Sequence, residues 1–224
     1  MIRLVGVSGK IGSGKDYLTN GLKTRLDVNG FSYKHMSFGF YLKNELDEII
    51  LILREHPEYT NHQMAVVLSS RMKFSLDDAD YLVNLLREHV NTNVTVTAWS
   101  RTLPVRSGLQ YHGTEIRRKQ KPSYWTDQFL EDSQKYNTDY IFVSDARFYN
   151  EMDTVVDNNG YAIRLDVSPE VLAERREKRD SVVYTPEQLN HPSETELDDY
   201  PRFHVRLPDY YDMDEQYHLL RKFF

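Results

Sequence analysis

Ile2-Arg-Leu-Val-Gly-Val-Ser-Gly9-Lys-Ile-Gly12-Ser13-Gly14-Lys15-Asp16 decides the reading of this chain. An apolar run passes into glycines and a lysine, and a helical pattern follows. From Gly9 through Gly14 to Lys15 the spacing is that of a phosphate-binding loop, G-x-x-x-x-G-K. Glycines let backbone N–H groups close round phosphates, the lysine reaches the outer ones, and a helix N-terminus favours an anion. Asp16 stands where Ser or Thr usually holds magnesium. The plainer alternative is a glycine-rich turn between a strand and a helix.

Outward from this loop, strands and helices alternate. Residues 2–7 are apolar enough for a central parallel strand buried on both faces. Leu18, Leu22 and Leu26 make a helical stripe that stops at Asn29-Gly30. Residues 31–38 read as a second strand, and Leu42, Leu46, Ile49, Ile50 and Leu53 as a helix ending before Pro57. Helices are expected over 61–90, the second opened by Ser75 with Asp78 as capping partner. Val94-Thr-Val-Thr suits a short strand or a loop lip, and a helix runs from Pro104 to about Lys119. Ser123 caps the next helix, whose Trp125 and Phe129 face inward. Residues 140–145 form a third strand ending on Asp145, and residues 161–167 a fourth. Ser168-Pro169 starts a helix to about Arg179. The polar, proline-punctuated stretch 181–200 reads as a mobile loop, followed by a fifth strand at 203–207 and a helix from Asp212. This alternation implies an α/β fold, a parallel sheet covered on both sides.

Composition narrows the class. The 224 residues suit one α/β domain with an insertion, and 40% hydrophobic content is enough for a core. A net charge of −6 argues against a general nucleic-acid coat, though not against local patches. With no cysteine, disulfides and thiolate metal sites are excluded. No apolar stretch approaches a membrane span, and the first strand leaves no room for a signal peptide. A cytoplasmic protein without a membrane partner is expected.

Several side chains fall where chemistry is expected. Asp145, at a strand end, occupies the position from which a carboxylate meets Mg²⁺ directly or through water; an ordinary strand-end aspartate capping a turn is the alternative. Arg147 lies at the mouth of the same crevice, outside the carboxyl ends of the strands, well placed for a phosphate; a solvated surface arginine is the alternative. Arg175 and Arg179 share a helix face at i, i+4, while Arg176 points elsewhere. That pair suits a lid clamping phosphates; a solvated helix laced with Glu174 and Glu177 is the alternative. Arg106, Gln110, Arg117, Arg118, Lys119 and Lys121 form a basic focus beside Tyr111, Tyr124 and Trp125. A phosphate-bearing substrate, a nucleic-acid strand and simple solubility all fit it. His35, His112, His191 and His204 have no metal-ligand spacing and receive no role.

Together these residues resemble the phage-type deoxynucleoside monophosphate kinases, within a P-loop kinase group that includes phosphomevalonate kinase and dephospho-CoA kinase. Residues 8–16 are similar to that group's S-G-x-x-x-S-G-K-D loop, with Gly12 an added glycine, so the resemblance makes Asp16 an expected residue. Residues 106–115 resemble R-x-x-x-Q-x-x-G-T-[DE], followed by the Tyr124-Trp125 pair. Asp145-Ala-Arg147 resembles a D-x-R region, and residues 193–198 an S-E-x-x-L-D element. The helical insertion at 45–103 is matched least.

The resemblance implies a P-loop kinase three-layer α/β/α sandwich with a five-stranded parallel sheet. It implies one domain over 1–224, a helical nucleotide-covering insertion at 45–103 and a lid at 168–200. ATP would lie on Gly9, Gly12, Ser13, Gly14, Lys15 and Asp16, with Mg²⁺ at Asp16 and Asp145. Lys15, Asp145, Arg147, Arg175 and Arg179 would carry catalysis. The acceptor phosphate is expected near Arg106, Gln110 and Arg147, with Lys43 contributing. Arg117 and Trp125 join as substrate candidates, although the spacing of Trp125 to Phe129 also suits the core. The activity implied is ATP-dependent phosphorylation of a deoxynucleoside monophosphate. Three alternatives stay open: a kinase of 5-hydroxymethyluracil in DNA, a kinase of another small phosphorylated metabolite, and an ATP-binding protein with no acceptor. A homodimer is also left open.

Overall fold

The computed structural model describes residues 2–87, 103–179, 184–209 and 212–224. The β-branched run at 94–97 lies outside them. Among the described residues there are five strands: β1 Arg3–Ser8, β2 Tyr33–Met36, β3 Tyr140–Val143, β4 Tyr161–Asp166 and β5 Val205–Pro208. The first helices are α1 Lys15–Val28, α2 Phe38–Glu55, α3 Asn61–Met72 and α4 Leu76–Leu86. Then come α5 Leu103–Gln110, a π-helical segment Tyr111–Arg118, α6 Tyr124–Ser133 and α7 Tyr149–Asp157. The last are α8 Pro169–Arg179, α9 Pro186–Leu189, α10 Pro192–Thr195, a 3₁₀ turn Glu196–Asp199 and α11 Met213–Leu220. The chain divides into two compact units, Met1–Phe38 with Thr126–Phe224, and Gly39–Trp125.

The first unit holds the sheet, ordered β2-β3-β1-β4-β5 with every pairing parallel. β1 sits centrally, Arg3 opposite Tyr140 and Val5 opposite Tyr161. Because side chains alternate along a strand, Val5 and Val7 pack with Leu18, Leu22 and Leu26 of α1 and with Leu220 and Phe223. On the opposite face Gly6 lets α7 come close: a Cβ there would lie 2.9 Å from Met152 Sδ and 3.1 Å from Val155. The sheet is therefore covered on both sides, as expected. Its site-bearing end is where β1 runs into the glycine loop and β3 into Ser144 and Asp145, outside the carboxyl ends of the strands.

Two expectations are corrected. The second strand spans 33–36 rather than 31–38. Ser32 gives its N–H and hydroxyl to Asp139, at 2.8 and 2.7 Å, and Phe38 already opens α2 with its N–H on Asp145. Of the stretch expected as a loop at 181–200, the described part, 184–200, winds into α9, α10 and the 3₁₀ turn. Pro186 and Pro192 are first-turn residues, where a missing N–H costs nothing, and the Thr185 hydroxyl caps α9 at Gln188 N.

The second unit has its own core. Leu46, Ile49, Ile50 and Leu53 of α2 meet Met64 and Leu68 of α3, Leu82, Val83 and Leu86 of α4, and Val105 and Ile116. Thr60 and Gln63 form a capping box on α3, and the Ser75 hydroxyl accepts from Asp78 N on α4. The helix expected over 104–119 exists, but its second half is π-helical.

Candidate phosphate-binding site

Residues 9–15 curl between β1 and α1. Gly12 and Gly14 take φ of 89° and 92°, the left-handed region where a side chain is strained. At Gly9 a Cβ would fall 2.4 Å from Ser13 Oγ. The Ser13 N–H closes the loop onto Lys10 O at 3.0 Å. Its hydroxyl oxygen is buried with no partner among the described residues. A tight cradle with an unanswered hydroxyl at its base fits a bound polyphosphate.

Lys15 folds its ammonium over the loop, donating to Gly9 O at 2.6 Å and Lys10 O at 3.1 Å. Burial, then the nearby Arg147 charge, pull its pKa from 10.5 down to about 8, against the pull of Glu194 and Asp16. A phosphate in the loop would favour the charged form. From α8, Arg175 Nη1 donates to Ser13 O at 3.2 Å, while the Arg176 stem lies against Gly12. Both neighbours reach the loop because α8 abuts it, so Arg176 does not point elsewhere as its spacing implied. The Arg179 side chain lies outside what the structure describes.

Arg147 follows β3. Its guanidinium donates to Ser193 O at 3.1 Å and pairs with Glu194. Burial opposes its charge, but Glu194 outweighs that and holds the pKa above the ordinary arginine value. Glu194 also accepts from Ile11 N–H at 3.2 Å. One turn on, Asp198 pairs with Lys10 at 2.7 Å and with buried Arg164, which donates to Ser8 Oγ at 2.9 Å.

Asp16 and Asp145 are both held by hydrogen bonds. Asp145 accepts from Ser37 Oγ at 2.5 Å and Phe38 N–H at 3.1 Å. Asp16 accepts from Ser144 Oγ at 3.4 Å. Ser144 Oγ lies 2.9 Å from His35 Nε2, and Lys23 Nζ 3.2 Å from His35 Nδ1. An ammonium only donates, so Nδ1 accepts and the imidazole proton sits on Nε2, aimed at Ser144. Burial, then Lys23, lower the His35 pKa, in keeping with a neutral ring. The relay runs one way, from Lys23 to the Asp16 carboxylate. Among the described residues no group of three His, Cys, Asp or Glu is placed to hold a metal ion. A magnesium ion bound through one or two carboxylates, phosphate and water needs no such group.

Beside the loop lies a cavity of about 610 Å³, walled by Lys10, Ile11, Ser13, Leu172, Arg176 and Asn190 among others. No protein-family model matches the chain, and no curated protein matches it. The site therefore rests on its own geometry.

In the second unit, the basic focus is less exposed than its composition implied. Arg117 is 8% exposed, donating through Nε to Glu45 at 2.8 Å and lying over the Phe74 and Tyr124 rings. Glu45 also accepts from Tyr124 and from His112 Nε2 at 3.0 Å. Burial opposes the Glu45 charge, yet His112, Tyr124 and Arg117 hold its pKa below the ordinary value. Trp125 is 2% exposed, its indole N–H on Gly113 O at 3.2 Å. Both residues proposed for substrate contact are thus packed inside this unit. Arg106 and Gln110 lie on α5 and Lys43 on α2, all partly exposed; the amide nitrogen of Gln110 is buried with no partner among the described residues.

Sequence reasoning passed over Glu45, His35, Arg164, Glu194 and Asp198 as site residues. Only the last two carried a signal, the S-E-x-x-L-D pattern, and that pattern came without a role.

Proposed function

We propose that this chain is an ATP-dependent phosphotransferase that moves a γ-phosphoryl group to a deoxynucleoside monophosphate. The observation that carries the reading is the loop at residues 9–15, with Lys15 folded over it and Arg147 and Arg175 beside it. Three cations around one cradle suit a reaction whose barrier is chiefly positioning and charge neutralisation. Lys15 would hold the outer phosphates, and Arg175 would follow the loop as they bind. Arg147 would meet the transferring group. The adjoining cavity offers space for the rest of the nucleotide.

Asp16 and Asp145 would hold Mg²⁺, which would neutralise phosphate charge when bound. Among the described residues Asp16 accepts one hydrogen bond, from Ser144, and a carboxylate accepts about four, which leaves room for a metal ion. Lys43, Arg106 and Gln110 are the candidates for holding an acceptor phosphate. An acceptor phosphate oxygen is already anionic, so no general base is required; a hydroxyl acceptor would need one.

The test is a coupled ATPase screen across the deoxynucleoside monophosphates, with DNA containing 5-hydroxymethyluracil alongside. Turnover that requires a monophosphate supports the reading. Turnover only with DNA, binding that weakens steeply with salt, or no acceptor-dependent turnover overturns it.

A further inference from the structure

We propose that Glu194 is the internal anion of the phosphate loop, occupying donors that the phosphates of a nucleotide take over. The inference rests on reading residues 9–15 as a phosphate-binding loop. Glu194 is 7% exposed and sits on α10, a helix of four residues. One carboxylate oxygen accepts from the Ile11 N–H at the loop apex and the other from the Arg147 guanidinium. Asp198, four residues on and in the next turn, answers Lys10 and Arg164. Lys15 is turned inward onto the carbonyls of Gly9 and Lys10. Each cation round the cradle thus has an acceptor from the protein itself.

The chemistry favours exchange over coexistence. A carboxylate and a phosphate offer the same thing, oxygens carrying negative charge, to the same N–H donors. Placed together they repel and compete for Arg147, and the more highly charged polyphosphate gains more from Lys15 and Arg175. Glu194 is carried by a short turn between Thr185 and β5, so moving it breaks no strand pairing. Its presence lowers affinity for phosphates and keeps the partly buried Arg147 paired when no nucleotide is bound.

The experiment uses the full chain and calorimetric titration with inorganic tripolyphosphate and with MgATP. Glu194→Gln keeps the shape, and its amide oxygen still accepts from Ile11, but the charge on Arg147 is released. Tripolyphosphate should bind about tenfold tighter to E194Q than to the wild type, the step expected when a charge-assisted bond no longer has to be broken. In an Arg147→Gln background the same change should give less than about twofold, because no guanidinium is freed. Glu194→Asp, too short to span both donors, should give an intermediate gain, and it decides the matter if E194Q does not fold. Unchanged or weaker binding in E194Q and E194D, or a full gain from E194Q in the Arg147→Gln background, overturns the exchange and leaves the loop reading standing. Failure of the wild type to bind either ligand overturns the loop reading itself.

Discussion

Lys15→Met removes the ammonium from the loop and keeps most of the side chain's volume. Two opposed effects on stability can be worked from the structure. Lys15 titrates at about 8 rather than 10.5. At about 1.4 kcal/mol per tenfold, holding the charge in the loop costs the folded protein on the order of 3 kcal/mol at neutral pH. Removing it relieves that cost but takes the ammonium donor from Gly9 O, while Lys10 O keeps the Ser13 N–H, a loss of about 1–3 kcal/mol where water does not replace it. The net change should be small, within about 2 kcal/mol by urea unfolding at pH 7. The pH dependence has a definite sign. The folded pKa lies below the unfolded one, so the unfolded chain binds more protons between about pH 8 and 10.5. Wild-type stability should therefore rise with pH across that window relative to K15M. Function has no such compensation, because Arg175 donates to Ser13 O and does not take the place of the Lys15 ammonium over Gly9 and Lys10; transfer should fall by about 10³-fold, the scale of losing a fixed donor at a developing charge. A flat stability difference between pH 8 and 10.5 would refute the electrostatic account. Transfer by K15M within about tenfold of wild type would sink the assignment of the site.

Three further outcomes follow from the same geometry. Arg175→Ala, which removes the guanidinium on Ser13 O, should weaken MgATP binding about tenfold with little change in melting temperature, read by calorimetry and a thermal scan. Gly9→Ala puts a methyl 2.4 Å from Ser13 Oγ and 3.1 Å from Leu165 O, so it should abolish tripolyphosphate binding and destabilise by about 1–3 kcal/mol; retained binding would mean that the cradle is not tight. Glu45→Gln leaves the buried Arg117 facing a neutral partner and should cost about 3 kcal/mol in urea. Because the Glu45 pKa is lowered in the fold, its contribution is present above the ordinary carboxylate value. It is lost as pH falls below about 4.5, so wild type and E45Q should converge in acid.

How far the sequence could be read depended on the range of the interaction. β1 and its loop were legible because an apolar run, fixed glycine spacing and a lysine lie within fifteen residues of one another. The helices of the second unit were legible from their stripes and from the cap at Ser75. The burial of Arg117, expected within a basic focus and as a substrate candidate, was not legible because the carboxylate that draws it inward is 72 positions away. Glu194 could not be placed at the loop for the same reason, since Ile11 is 183 positions distant. The turns at 186–199 are too short to show a helical period, and their prolines read as breaks when they are starts. Nothing in residues 111–118 announces the wider π-helical turn; its marker is the Trp125 indole on Gly113 O, which again is tertiary.

The strand order also bears on how the chain is made. β1 and β2 are synthesised first, yet they are not neighbours; β3 lies between them and pairs with both. Until residue 143 has been added, the apolar β1 has no partner on either side, while Gly39–Trp125 is one contiguous segment whose helices meet at short sequence range. Local contacts form fastest, so the helical unit is expected to fold first. An unpaired apolar strand is the template on which chains aggregate. The interval between the synthesis of β1 and that of β3 is therefore when a growing chain is most exposed to misassembly, and slowing translation after residue 125 should lower its soluble yield.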